Sequence, residues 1–208
     1  MQIASPVNAL RLAGFLIFLV ASAEALAQAN TADIIEQARA RARQVEEIKQ
    51  VLTDPDQNVR LAAFEGMVDS GDPLMREIAL DTGLASTDRV LRGLALKHTI
   101  LGLAQLSITL TVDDSAPKPV QDKSVKYLEK NGNNYILTFD PKGSDLNRGF
   151  FHPPGNLHWA GNVSGTVVTF NYGKYTGELI LQDDNTLAGL VHYNQGGGHR
   201  FKATAPLR

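Results

Sequence analysis

Four of the five histidines, His152, His158, His192 and His199, fall in the last third of this 208-residue chain. Imidazole is both a common metal ligand and the side chain that titrates nearest neutral pH. Two of them sit in the stretch Arg148-Gly149-Phe150-Phe151-His152-Pro153-Pro154-Gly155-Asn156-Leu157-His158-Trp159, which also holds the chain's single tryptophan. Aromatic faces beside polar donors suit sugar or peptide recognition, and a Pro-Pro step fixes such a platform at low entropic cost. Arg148, Phe150, Phe151, His152, His158 and Trp159 are therefore the candidate ligand-binding residues. The same residues also suit a structural role, in which Phe150, Phe151 and Trp159 plug the end of a barrel and Pro-Pro makes the turn. With Asp145, His152 and His158 offer the acid–base pair a hydrolase needs.

The other two histidines are separated by strand geometry. If Asn194 to Gly198 is a hairpin loop, Tyr193 opposes His199, His192 opposes Arg200, Val191 opposes Phe201 and Leu190 opposes Lys202. Alternation then sends His192 and His199 to opposite faces, where they cannot share a metal. Asp183-Asp184-Asn185 has the hard oxygens that calcium takes, but between two strands it reads as a hairpin turn. Gly161-Asn162-Val163-Ser164-Gly165 places its serine one position late for a nucleophile elbow, and Asn162-Val163-Ser164 is formally a glycosylation acceptor. His98, among apolar residues, reads as packing. There is no P-loop, no G-x-G-x-x-G, no H-E-x-x-H and no cysteine. No catalytic residue, cofactor or metal ligand is assigned.

The elements around these residues change near position 106. Residues 28–105 hold one aromatic, Phe64, whereas 106–208 hold eleven of the fourteen aromatics and twelve of the 18 glycines. Aromatic and β-branched residues between Gly-rich turns suit strands. Ile108, Leu110 and Val112 alternate with Ser107, Thr109 and Thr111, and further strands are expected near 124–129, 134–140, 157–162, 166–172, 176–182, 187–193 and 199–205. Residues 113–123 read as a polar, proline-marked loop. Eight short strands, with tight turns from Thr166 onward, predict a small antiparallel barrel or sandwich ending in a meander.

Residues 28–105 are rich in Ala, Leu and Arg and predict helices over 32–52, 57–70, 73–84 and 88–105. The first carries the stripe Ile34, Ala38, Val45, Ile48 and Leu52. Leu52-Thr53-Asp54-Pro55-Asp56-Gln57-Asn58-Val59-Arg60-Leu61-Ala62-Ala63 resembles the inter-helix turn and helix opening of a HEAT-type repeat. A second copy, Ala85-Ser86-Thr87-Asp88-Arg89-Val90-Leu91-Arg92-Gly93-Leu94-Ala95, lacks the proline, and Leu91-Arg92 repeats Val59-Arg60 at an offset of 32. The resemblance spans roughly residues 45–105 and implies stacked hairpins with a protein-contacting face, for which Arg60 and Arg92 are the candidates. Two repeats are fewer than an isolated solenoid needs, so another surface must cover one end.

The first thirty residues look like an address. Arg11 precedes Leu12-Ala13-Gly14-Phe15-Leu16-Ile17-Phe18-Leu19-Val20-Ala21, an apolar run too short to span a membrane, and Ala25-Leu26-Ala27 is a small-x-small cleavage site. The expected organisation is a signal peptide over 1–27, a HEAT-like helical module over 28–105 and a β barrel or sandwich over 106–208, an α+β chain. Lys+Arg 20 against Asp+Glu 22, a net charge of -2, leaves no bulk positive field for nucleic acid. The sequence thus points to a periplasmic or secreted, non-catalytic binding or scaffolding protein of a bacterial envelope. Its expected partner is an envelope or extracellular protein, with a glycan or a small apolar ligand as further possibilities. A hydrolase built on the 145–159 loop and a lipocalin-like carrier are the alternatives.

Overall fold

The computed structural model describes residues 31–196 and 198–207; the expected signal segment lies outside the described residues. The chain forms two compact units, residues 1–50 and 51–208. The described part of the first is helical throughout, and this helix, α1, covers 31–52. The second unit contains everything considered below.

Three helices open it: α2 (Gln57–Val68), α3 (Pro73–Leu84) and α4 (Arg89–Gly102). Each starts behind an aspartate in extended conformation. The side chains of Asp56, Asp72 and Asp88 accept hydrogen bonds from the amides of Asn58, Leu74 and Val90, satisfying donors the helix leaves open. Phe64, Ile78, Leu84, Leu91, Leu96 and Ile100 bury the faces that meet. Gly83 lets α3 and α4 approach closely, since a Cβ there would lie 2.7 Å from that of Ala95.

After α4 the chain enters β1 (Gln105–Val112) and then α5 (Lys118–Asn131), followed by β2 (Asn134–Thr138), β3 (Phe150–Phe151), β4 (Ala160–Ser164), β5 (Val167–Tyr172), β6 (Tyr175–Leu181), β7 (Thr186–Tyr193) and β8 (His199–Pro206). The strands form one antiparallel sheet in the order β2-β1-β8-β7-β6-β5-β4-β3. β5 to β8 are a meander, and the β7–β8 register pairs Tyr193 with His199, His192 with Arg200 and Val191 with Phe201, as the sequence predicts. The chain is α+β, and the sheet curls into a half-barrel. Its edge segments meet where the Asp140 amide donates to the His152 carbonyl at 2.8 Å and Phe139 packs edge-on to Phe151 at 4.9 Å. Phe151, Val168, Phe170, Leu179, Val191, Phe201, Ile108 and Leu137 point into the curl.

One expected strand is a helix. Residues 124–129 lie in α5, and the eighth strand is the two-residue β3 instead. Pro119 in the first turn fixes φ where no amide donor is needed, and Gly132 at φ 80 stops the helix. Val120, Ser124 and Tyr127 follow helical spacing, and Ser124 is fully buried against β8. The pairing of β1 with β8 ends at Val112 and Phe201. One residue further, the Ser124 hydroxyl donates to the Arg200 carbonyl and accepts from its amide, at 3.1 and 3.2 Å. A side chain of α5 thus continues the ladder where β1 stops.

The helices also pack on the sheet. Gly93 of α4 lies against the β4–β5 turn, where a Cβ would be 2.9 Å from the Cα of Gly165.

Candidate functional site

The 148–159 loop distributes its side chains over several environments. Phe151 is fully buried. His152 is buried as well, its Nδ1 3.0 Å from the Pro153 carbonyl and its Nε2 in the space that a Cβ on Gly143 would occupy. Arg148 is exposed and lies 6.0 Å from the centre of the Phe150 ring. His158 is exposed, its amide held by Asn156. Trp159 is 41% exposed and stacks on Tyr172 at 6.2 Å, the ring that Phe151 meets edge-on at 6.3 Å. Asp145 accepts from the Arg148 amide. Of the candidates, Arg148 and Phe150 come together, and Phe151 and Trp159 share Tyr172.

The two arginines of the repeat pattern are engaged within the chain. Arg60 reaches the carbonyls of Asp54 and Pro55 and pairs with Asp88 at 2.6 Å. That hydrogen bond is the main reason the Asp88 carboxyl is pushed down to about 2. Arg92 bonds Asp183 at 2.9 Å and the Gln182 carbonyl, joining α4 to the β6–β7 turn. His98 packs edge-on to Phe64 at 5.5 Å, and burial lowers its pKa.

A different set of residues converges at one end of the half-barrel. Lys123, Lys126, Tyr127, Lys130 and Asn131 of α5 face Lys174, Tyr175, Tyr193 and His199 of the sheet across a cleft of about 590 Å³. The sequence spacing of the three α5 lysines puts them on one helical stripe. Lys174 enters through the β5–β6 turn, where Gly173 has φ +64 and a Cβ would collide with Trp159 at 2.7 Å. Tyr175, Tyr193 and His199 are register neighbours on the inner face.

The floor of this cleft is an aromatic cluster. Tyr127 lies 4.9 Å from Tyr193, 5.3 Å from His199 and 5.4 Å from Phe201, and Tyr175 lies 5.1 Å from Tyr193 and 4.3 Å from Tyr135. The hydroxyls of Tyr127 and Tyr175 bond to each other. Burial raises the pKa of Tyr175 and pushes that of Tyr135 up to about 12, so both phenols are neutral at physiological pH. His199 Nδ1 is buried without a hydrogen-bond partner. Among the described residues, Lys126, Lys130 and Lys174 form no ion pair, whereas Arg200 is held by Asp113 and Lys202 by Asp114. Unneutralised ammonium groups around neutral phenols make an anion-attracting cleft with apolar faces.

The α5 half of this cleft is hidden in a strand reading, because a strand over 124–129 holds Lys126 alone and leaves Lys123 in the preceding loop and Lys130 beyond its end. The sheet half follows from the Tyr193–His199 pairing. Among the described residues there is no cluster of three metal-ligating side chains and no helix long and apolar enough to cross a membrane. No protein-family model, curated protein or solved structure matches the chain.

Proposed function

We propose that this chain is an exported, non-catalytic binding protein of the bacterial cell envelope whose lysine-rimmed tyrosine cleft holds an anionic ligand. The observation that carries this reading is the convergence of four lysines on Tyr127, Tyr175, Tyr193 and His199. Export rests on the sequence of the first thirty residues. The HEAT-like helices brace the sheet through Gly93 and Arg92 and offer their outer faces to a protein partner. Lysine suits the cleft's role: its ammonium is a mobile point charge that follows an anion without demanding a bidentate geometry.

Titration of the full chain with tripolyphosphate, read by Trp159 fluorescence beside the Gly173–Lys174 turn, tests it. Saturable binding that weakens with added salt is expected. The triple variant K126Q/K130Q/K174Q should bind roughly ten-fold more weakly while keeping its circular dichroism. Equal binding by the variant removes the cleft as the site.

A further inference from the structure

We infer that the ligand of this cleft is an acidic polysaccharide, a chain of sugar rings carrying carboxylates; the inference rests on the cleft's being the binding site. Three features of the cleft point there.

The charge is extended. Lys126 and Lys130, neither in an ion pair among the described residues, stand one turn apart on one side of α5, about 6 Å at 1.5 Å rise per residue, and Lys174 stands in the turn across the cleft. A single small anion engages one end of such a stripe. A polymer bearing an anionic group on successive units engages it all.

The rings are tilted. Tyr127 and Tyr193 are inclined by 44°, Tyr175 and Tyr193 by 52°, Tyr127 and His199 by 60°, and Tyr193 and His199 by 64°. Successive bases of a single-stranded nucleic acid stack best on platforms whose faces are presented in sequence, and these inclined rings form a curved wall instead. A sugar ring is puckered and presents polarised C–H bonds, which sit on the electron-rich face of one aromatic ring at a time.

The polar groups match as well. The Tyr127 and Tyr175 hydroxyls each offer a donor and an acceptor, the Asn131 side chain adds an amide, and His199 has an unsatisfied Nδ1. Hydroxyl-rich rings use both the donors and the acceptors of such a set, whereas a bare polyanion, which has no donor of its own, leaves the acceptors unused.

The test compares four probes on the full chain by calorimetry at one ionic strength: a galacturonate oligomer, a neutral glucan oligomer of the same length, tripolyphosphate and a thymidylate oligomer. The galacturonate oligomer is expected to bind at least ten-fold more tightly than each of the others. Tyr193→Leu should weaken the galacturonate oligomer by a several-fold larger factor than tripolyphosphate, while K126Q/K130Q should weaken both; equal losses for the two probes on Tyr193→Leu overturn the sugar reading. Tripolyphosphate binding as tightly as the galacturonate oligomer overturns the inference and leaves an anion cleft in place. Tighter binding of the thymidylate oligomer, or equal binding of the neutral glucan, also overturns it. Failure of all four probes to bind overturns the cleft itself.

Discussion

The hydroxyls of Tyr127 and Tyr175 meet although 48 residues separate them, one on α5 and the other at the start of β6. This contact ties the helix to the sheet at the point where the cleft opens. It also orders the cleft, because Tyr175 stacks on Tyr135 at 4.3 Å and Tyr135 on Phe170 at 6.1 Å. Phe170 meets Tyr172 at 6.0 Å, and Tyr172 meets Trp159. A continuous line of rings therefore runs from the tyrosine cleft to the 148–159 loop.

Tyr127→Phe and Tyr175→Phe each remove one hydroxyl from that bond and keep the rings. Each should cost about 0.5–1.5 kcal/mol in urea unfolding. The double variant should cost less than the sum of the two, since the second hydroxyl has no partner to lose. Strict additivity would show that the two hydroxyls do not act on each other.

Ser124 makes a sharper prediction. Its hydroxyl serves both the amide and the carbonyl of Arg200, and the residue is fully buried. Ser124→Ala leaves two backbone groups unpaired beside the end of β1, at a cost of about 1–3 kcal/mol. Amide exchange at Arg200 should rise with it. An unchanged Arg200 exchange rate would mean that the hydroxyl does not continue the ladder.

Much of the sheet could be read from the sequence because alternation and turn residues act locally. Val191 and Phe201 face the curl together once the glycine loop fixes their register, and the same register separates His192 from His199. The α5 segment was not readable in this way. Val125 and Tyr127 alternate like a strand over a few residues, and the burial of Ser124 against β8, a tertiary contact, adds to the local signals of Pro119 and Gly132 in selecting the helix. The cleft inherits this difficulty, since its lysine stripe exists only on a helix. In the 148–159 loop, composition indicates aromatic density. It does not indicate which rings the curl of the sheet draws inward, and Phe151 and His152 are buried by the meeting of the sheet's two edges.

Gly93 tests the join between helices and sheet. A methyl group there meets the backbone of Gly165 at 2.9 to 3.1 Å, and backbone cannot rotate away as a side chain does. Gly93→Ala should cost about 1–3 kcal/mol through overpacking, despite the better helix propensity of alanine. The change is read as a shift of the thermal midpoint. A stabilised Gly93→Ala protein would place α4 further from the β4–β5 turn.

Acid sensitivity should centre on Asp113. Its carboxylate is buried and accepts from the Ser115 hydroxyl at 2.7 Å and the Ser115 amide at 3.0 Å while pairing with Arg200. The Ser115 hydrogen bond and the Arg200 pair outweigh burial and hold its pKa at about 2, below the ordinary 3.8. A carboxyl lowered on folding contributes stability that is complete above its unfolded value and disappears as pH falls through the folded one. The Asp113 contribution is therefore present at neutral pH and lost between about pH 4 and pH 2. Asp88, lowered by Arg60, titrates in the same window. In urea titrations at several pH values, Asp113→Asn should be less stable at pH 7 and should show a shallower loss across that window. Combining it with Asp88→Asn should flatten the loss further, and an Asp113→Asn slope equal to that of the unmodified chain would place the acid sensitivity at other carboxylates.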